Sequence, residues 1–212
     1  FYAAHVFDDE SGRTILMAWM DMWGSDFPTQ KDGWAGTLTI PRVLSMRGTT
    51  LLQQPLPELS SLREESLLDT SGTVQTGDNP LESLSDESME IRIEFQRDTA
   101  QSGFECTIMG EKQDKQSIHF IYDGVNHAFA LHQKRTTKHS NKDAFKPCLS
   151  HKETIDIRLF IDTCSVEVFI DEGALCFSQK FYFESTERHY AIHGNGLKLT
   201  TLKAWRLGDA FK

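Results

Sequence analysis

The sequence lacks several features that would place a protein in a special class. No run approaches the roughly 20 uninterrupted apolar residues of a transmembrane helix, so we expect no membrane partner. The chain has 22 basic and 31 acidic residues, and its net charge of −9 argues against nucleic-acid binding. Only 6 prolines and 14 glycines occur, which excludes collagen-like and proline-rich linker classes. The remaining features, 212 residues with 39% apolar content, are typical of a globular protein.

The four cysteines, at positions 106, 148, 164 and 176, have no C-x-x-C spacing. They therefore indicate neither a zinc site nor a thioredoxin-like motif, and we expect no metal and no cofactor. Three of them lie in strand-like apolar runs, which favours reduced thiols over disulfides and a cytoplasmic location. The chain opens at Phe1 within an apolar strand pattern, without a Met or a leader. We expect it to be a piece of a longer protein, in which any signal peptide would lie upstream.

Alternation of apolar and polar residues dominates the chain. In residues 89–96 the apolar side chains recur at every second position, which predicts a half-buried strand. Turn sequences at Asp123-Gly124-Val125 and Asp171-Glu172-Gly173 predict two hairpins. No long window has helical periodicity, so the sequence predicts an all-β chain. The other predicted strands cover residues 116–122, 126–132, 155–161, 165–170, 174–179 and 196–207.

Composition divides the chain into three parts. Residues 1–55 contain four predicted strands, the size of one propeller blade. Residues 56–80 are rich in Ser, Leu, Asp and Glu and are predicted to be a linker with a short helix near 57–63 and a poorly defined first strand. Residues 81–212 have evenly spaced strands, which predict a two-sheet antiparallel β-sandwich. The four predicted strands of the first part are 1–8, 13–20, 37–46 and 49–54.

Three stretches, in this order, resemble glycoside hydrolase family 32, the invertase and β-fructofuranosidase group. They are Phe-Tyr-Ala at 1–3, Gly-Arg-Thr-Ile-Leu-Met-Ala-Trp-Met at 12–20 followed by Gly-Trp-Ala-Gly-Thr-Leu-Thr-Ile-Pro-Arg at 33–42, and Ser-Val-Glu-Val-Phe-Ile at 165–170. The resemblance implies a five-bladed catalytic propeller followed by a C-terminal sandwich. Residues 1–55 would then be the last part of the propeller, and the missing propeller domain would be a partner of this chain.

The family's catalytic residues are not expected in this chain. Retaining glycosidases need two carboxyl groups, a nucleophile and an acid/base, about 5–5.5 Å apart. The family takes them from Asn-Asp-Pro-Asn-Gly and Glu-Cys motifs, with a third Asp from Arg-Asp-Pro. Of these, only Glu105-Cys106 occurs here, but it follows the Phe-Tyr-Ala stretch instead of preceding it and lies in a sandwich strand. We interpret Glu105 as structural and expect the isolated chain to be inactive.

Substrate-contacting aromatic residues are expected in the blade segment, because a flat ring packs on the C–H face of a sugar. The resemblance favours Trp23, with Trp19 and Tyr2 as further candidates. The alternative for all three is packing within the blade core. Trp23 stands at about the place of the proline in the Gly-Met-Pro pattern of many sucrose-6-phosphate hydrolases. Sucrose, sucrose 6-phosphate and short fructo-oligosaccharides therefore stay equally open as substrates.

Several other groups are interpreted as structural. His189 and His193 lie four apart but have no third metal ligand at a matching spacing. The basic run at 134–138 is typical of a solvated loop. Acidic residues at 156 and 162 end a predicted strand, and Glu167 alternates with valines, so we expect it to be structural and to face the propeller.

Two functions from other classes remain open beside a fructoside hydrolase. The sandwich could be an independent carbohydrate-binding module, which would bind glycans on its own. It could also be an oligomerising domain, because four strands separated from their propeller leave an open edge and predict self-association into a homo-oligomer.

Overall fold

The computed structural model describes residues 2–21, 23–24, 26–97, 103–110, 116–134, 145–148 and 152–210. Within them the chain forms fifteen strands in three antiparallel sheets, which confirms the all-β prediction. Two short 3-10 helices cover Pro28–Asp32 and Pro57–Leu62. The strands are β1 (Tyr2–Asp8), β2 (Thr14–Trp19), β3 (Arg42–Arg47), β4 (Thr50–Pro55), β5 (Arg63–Val74), β6 (Met89–Gln96), β7 (Phe104–Met109), β8 (Ser117–Asp123), β9 (Ala128–Lys134), β10 (Lys146–Pro147), β11 (Thr154–Asp162), β12 (Ser165–Ile170), β13 (Leu175–Lys180), β14 (His189–Gly194) and β15 (Leu197–Leu207).

The N-terminal sheet has the order β1-β2-β3-β4 and contains the four predicted strands. Its third strand begins at Arg42, five residues later than predicted. Pro41 has no amide N–H to donate, so the regular hydrogen-bond ladder between β2 and β3 does not continue through it. The residues before Pro41 pair with β2 through separate backbone hydrogen bonds. Met20 N–H donates to Thr37 O at 2.8 Å, and Thr39 N–H donates to Ala18 O at 2.8 Å.

The other two sheets pack face to face as the predicted sandwich. Their strand orders are β10-β9-β8-β7-β14 and β13-β12-β11-β6-β15-β5. The inward side chains of β6, among them Ile91, Ile93 and Phe95, are at most 1% exposed. Phe95 meets Phe104 of the opposite sheet edge to face, with ring centroids 5.3 Å apart. The period-two pattern in residues 89–96 therefore identified the core correctly.

The segment predicted to be a linker is only partly one. The short helix is present at Pro57–Leu62, as predicted. It leads directly into the 12-residue strand β5, which forms an edge of the six-stranded sheet by pairing with β15. Of the residues in β5 only Val74 is buried, so its sequence has little apolar alternation. The sandwich thus begins before residue 81.

The N-terminal sheet contacts the sandwich through β4. Gln53 N–H donates to the carbonyl of Gly173 at 3.0 Å, in the turn between β12 and β13. Gly173 has a φ of 79°, and a Cβ atom there would lie 2.1 Å from Gln53 O. Glycine is required at this position by both the left-handed backbone and the close approach.

None of the helices among the described residues has the length and apolar composition needed to cross a membrane.

Candidate functional site

The three aromatic residues predicted from the sequence lie together at one end of the N-terminal sheet. Tyr2 and Trp19 are directly opposite each other in the β1–β2 ladder, with ring centroids 6.4 Å apart. Trp23 lies in the turn after β2, with its ring 5.2 Å from that of Trp19 in an edge-on arrangement. These three rings form a continuous group, which we call the aromatic cluster.

A glycine on the far side of the following loop sets the position of the central ring. Gly36 has a φ of 76°, and a Cβ atom there would lie 2.1 Å from Trp19 Nε1 and 3.0 Å from Asp21 Oδ2. The backbone of Gly36 therefore packs directly against the edge of the indole, which any side chain would displace. The Asp21 carboxylate lies beside the same contact.

The aromatic cluster faces solvent to an unusual degree for large apolar rings. Trp23 is 77% exposed and Tyr2 is 47% exposed, while Trp19 is half-buried between them. Within the described residues, neither Trp23 nor Tyr2 is buried. Flat rings at a surface with a carboxylate close by suit a ligand that has both C–H faces and hydroxyl groups, as a sugar does.

The Glu-Cys doublet lies in a different sheet. Glu105 and Cys106 are in β7 of the sandwich, where the Glu105 carboxylate contacts Nδ1 of His119. Cys106 is 1% exposed, and burial raises the pKa of its thiol to about 12. A buried, protonated thiol is inert. These contacts account for the doublet structurally, as its position in the sequence predicts.

The other groups interpreted as structural also have local partners. His189 and His193 lie on β14 opposite Met109 and Glu105. In the described ranges no group of three or more His, Cys, Asp and Glu residues is placed to hold a metal ion. Asp162 accepts a hydrogen bond from Ser88 Oγ at 2.8 Å. Residues 135–138 of the basic run lie outside the described residues. The cysteines at 106, 148, 164 and 176 form no disulfide bond among the described residues.

Glu167 faces the N-terminal sheet, which confirms its predicted orientation. One of its oxygens accepts the Ile40 N–H at 2.7 Å, and the other accepts Arg42 Nη2 at 2.5 Å. The carboxylate residue is 2% exposed and the arginine is fully buried. Burial raises the pKa of Glu167, while Arg42 acts in the opposite direction. This buried ion pair joins β3 to β12.

Sequence reasoning missed Arg42 as the partner of Glu167. The side chain of Arg42 also donates to Gln53 Oε1 at 2.8 Å and to Ser178 Oγ at 2.6 Å, and its guanidinium lies 5.0 Å from the centroid of the Phe169 ring. The alternation around Glu167 shows that its side chain leaves the sandwich core. It contains no information on which basic residue, 125 positions away in the chain, meets it.

A cleft of 590 Å³ runs along the same junction. It is lined mainly by apolar side chains from both parts of the chain, including Ile40, Leu62, Phe160 and Leu207, with Glu167 on its wall. Because the Glu167 carboxylate is already bonded to Ile40 and Arg42, it has no free role toward a ligand in the cleft. The exposed rings of the aromatic cluster are the stronger candidate for a binding site.

Comparisons with known proteins match both parts of the chain to the same family. The family model "Glycosyl hydrolases family 32 C terminal" matches residues 58–206, and "Glycosyl hydrolases family 32 N-terminal domain" matches residues 1–55. The sucrose-6-phosphate hydrolase of Escherichia coli is 31% identical over 212 residues, which cover 98% of this chain. A raffinose invertase of Escherichia coli is also 31% identical, over 211 residues and 98% of this chain.

The fold agrees with a solved structure as well. The family 32 β-fructofuranosidase of Bombyx mori superimposes with a TM-score of 0.78 at 24% identity, covering 98% of this chain and 40% of that one. The present chain spans 42% of the length of each of the two Escherichia coli relatives.

Proposed function

The chain belongs to glycosyl hydrolase family 32, and on that premise we propose that it is the C-terminal part of an enzyme that hydrolyses β-fructosyl bonds. The substrate class is sucrose, sucrose 6-phosphate or short fructans. Relatives named sucrose-6-phosphate hydrolase and raffinose invertase support this class. The observation that carries the proposal within the chain itself is the solvent-facing aromatic cluster of Tyr2, Trp19 and Trp23.

The chemistry of retaining glycosidases indicates which roles belong to this chain and which belong to the rest of the enzyme. Two carboxyl groups about 5–5.5 Å apart act as nucleophile and acid/base around an oxocarbenium-like transition state. We propose that both come from sequence outside these 212 residues, and that this chain contributes binding. Stacking on the C–H face of the fructoside orients the sugar without forming a bond to it, so the rings would act mainly on substrate affinity.

The role of the aromatic cluster is tested in the protein expressed from its complete gene. Trp23→Ala is expected to raise KM for sucrose about tenfold, equivalent to about 1.4 kcal/mol of lost stacking, with a smaller effect on kcat. Phe145→Ala is the matched control, since it removes an aromatic ring that is 48% exposed on the sandwich. Equal KM values for the two variants would contradict the proposed role of Trp23.

The 212-residue chain alone separates the proposed function from the carbohydrate-binding alternative. A chain that supplies only part of an active site is expected to release no glucose from sucrose. Calorimetric titration with sucrose and fructose gives a second reading, because an independent binding module would bind sugar measurably in isolation. Glucose release above a blank would refute the placement of both carboxylates elsewhere.

The exposed edge of the N-terminal sheet supports a partner for β1. Every residue of β1 is exposed, including Val6 at 59% and Phe7 at 52%. An open edge with apolar side chains favours pairing with further strands, which we assign to the rest of the propeller in the intact enzyme. In isolation the same edge is expected to drive self-association, and a monodisperse monomer in light scattering would argue against it.

We also infer a cytoplasmic location, supported by four cysteines that form no disulfide bond among the described residues, since oxidising compartments favour disulfides.

A further inference from the structure

Lys180, the last residue of β13, has a buried charge. The residue is 7% exposed, and in the described part of the chain no hydrogen-bond acceptor contacts its Nζ atom. An ammonium group removed from water without compensation is costly, so its surroundings must supply a substitute for hydration.

Three aromatic rings surround this ammonium. Nζ lies 4.7 Å from the ring centroid of Phe27, 5.7 Å from that of Trp34 and 5.2 Å from that of Tyr182. An ammonium has three N–H donors, and here it has three ring faces around it. Such cation–π contacts are strongest where the cation is removed from water, as it is here. The rings thus provide the compensation that Lys180 Nζ does not receive from any acceptor in the described residues.

Two of these rings belong to the loop between β2 and β3. Phe27 and Trp34 lie in residues 26–36, which we call the clamped loop, whereas Lys180 and Tyr182 belong to the sandwich. Phe27 and Tyr182 also contact each other, with centroids 6.1 Å apart. The aromatic cage therefore fastens a loop of the N-terminal sheet to the sandwich.

The clamped loop is connected to the aromatic cluster at both ends. Trp23 precedes it by three residues and rests on Trp19. Gly36, the last residue of the loop, packs against the indole edge of that same Trp19. A displacement of the loop would therefore move the support of both indole rings.

We propose that Lys180 is a positioning residue, whose caged ammonium holds the clamped loop so that the aromatic cluster is arranged for a fructoside. This inference rests on the proposed function for the identity of the ligand. The sandwich then contributes to substrate affinity through Lys180 without touching the substrate.

Hydrogen exchange on the chain itself tests the clamp independently of activity. The amides of Gly33 and Trp34 are bonded within the loop, to Gln30 O at 3.1 Å and to Thr29 O at 3.3 Å, and provide the signal. Lys180→Met removes the charge but fills the cage with a flexible apolar side chain, so the fold is expected to persist. We expect about tenfold faster exchange in the loop, equivalent to about 1.4 kcal/mol of lost cation–π contact.

Two further variants serve as rescue and control. Lys180→Arg keeps a cation that stacks on aromatic rings, and is expected to restore slow exchange. Lys203→Met removes a sandwich lysine whose Nζ lies 3.0 Å from Asp69 at the surface, and is expected to leave the loop unchanged. Unchanged loop exchange in Lys180→Met would overturn the proposal.

Kinetics of the protein from the complete gene test the positioning role. Lys180→Met is expected to raise KM severalfold with kcat nearly unchanged, and Lys180→Arg to recover KM. If Trp23→Ala raises KM but Lys180→Met does not, the positioning role of Lys180 is wrong while the proposed function stands. If Trp23→Ala leaves KM unchanged, the substrate role of the aromatic cluster fails, and the positioning inference fails with it.

Discussion

Replacement of Arg42 by methionine is expected to destabilise the chain by about 3–5 kcal/mol, because it leaves the Glu167 carboxylate buried and unpaired. Methionine has a similar length and fits an irregular apolar space, so the variant tests the charge more than the packing. The two partners are 0% and 2% exposed, so solvent cannot replace the lost contact without opening the junction between β3 and β12.

The magnitude follows from the contacts that survive. In Arg42→Met, Glu167 retains the Ile40 N–H at 2.7 Å and a weak contact from Ser178 Oγ at 3.4 Å. It loses the charged partner at 2.5 Å, and Gln53 Oε1 loses its donor at 2.8 Å. Glu167 then keeps a buried charge with only one good hydrogen bond. The expected loss of stability is therefore about 3–5 kcal/mol, which is typical when one partner of a buried ion pair is removed.

The same substitution predicts a specific dependence on pH. Burial already raises the pKa of Glu167, and removal of Arg42 takes away the main opposing influence. A carboxyl whose folded pKa lies above its unfolded value binds more protons when folded, so stability increases as pH falls toward the unfolded pKa of about 4.3. The defect of Arg42→Met is therefore expected to be largest near pH 7 and to shrink toward pH 5.

Urea denaturation followed by two probes measures the effect. Three of the four tryptophans, at 19, 23 and 34, lie in the N-terminal segment, so fluorescence reports on that segment while far-UV circular dichroism reports on all strands. In the double variant Arg42→Met with Glu167→Gln, the buried charge is gone, and we expect recovery of about 1–4 kcal/mol relative to Arg42→Met. A loss of stability below about 0.5 kcal/mol in Arg42→Met would contradict the cost assigned to the unpaired carboxylate. So would a double variant whose loss of stability equals the sum of the losses in Arg42→Met and Glu167→Gln.

Two further predictions concern the same junction and the aromatic cluster. Burial raises the pKa of Asp171, but the hydrogen bonds that it accepts from Arg47 and Lys152 outweigh burial and hold this pKa below its usual value. The Asp171 carboxylate therefore stabilises the fold above about pH 4. Asp171→Asn is expected to cost about 1.5 kcal/mol at pH 7, and urea titrations should show the difference vanishing as pH falls through the folded pKa. Gly36→Ala should destabilise the chain by about 2 kcal/mol more than Gly12→Ala and shift tryptophan emission, because both have a positive φ but only the Cβ at Gly36 meets Trp19. Equal stabilities of the two alanine variants would contradict the close packing at Gly36.

Much of the fold follows from local sequence. Alternation in residues 89–96, 155–161 and 165–170 predicts strands that the structure contains almost residue for residue, because a strand with one buried face must place apolar side chains at every second position. The turn chemistry at 171–173 predicts a hairpin for the same local reason, and positive φ values at all three positions bear it out. Where these local signals are weak the prediction was less specific: the poorly defined strand predicted within the linker is the 12-residue strand β5, whose residues are almost all exposed or half-buried at the sheet edge.

Local sequence patterns predict most of the strands and the separation of two β parts, and the family resemblance selects the rings of the aromatic cluster. The tertiary structure decided how those parts are joined. Arg42 meets Glu167 across 125 residues, and Lys180 enters a cage made by rings from both parts. Such contacts depend on the packing of distant segments against one another, and no periodicity along the chain encodes which polar side chain is opposite which.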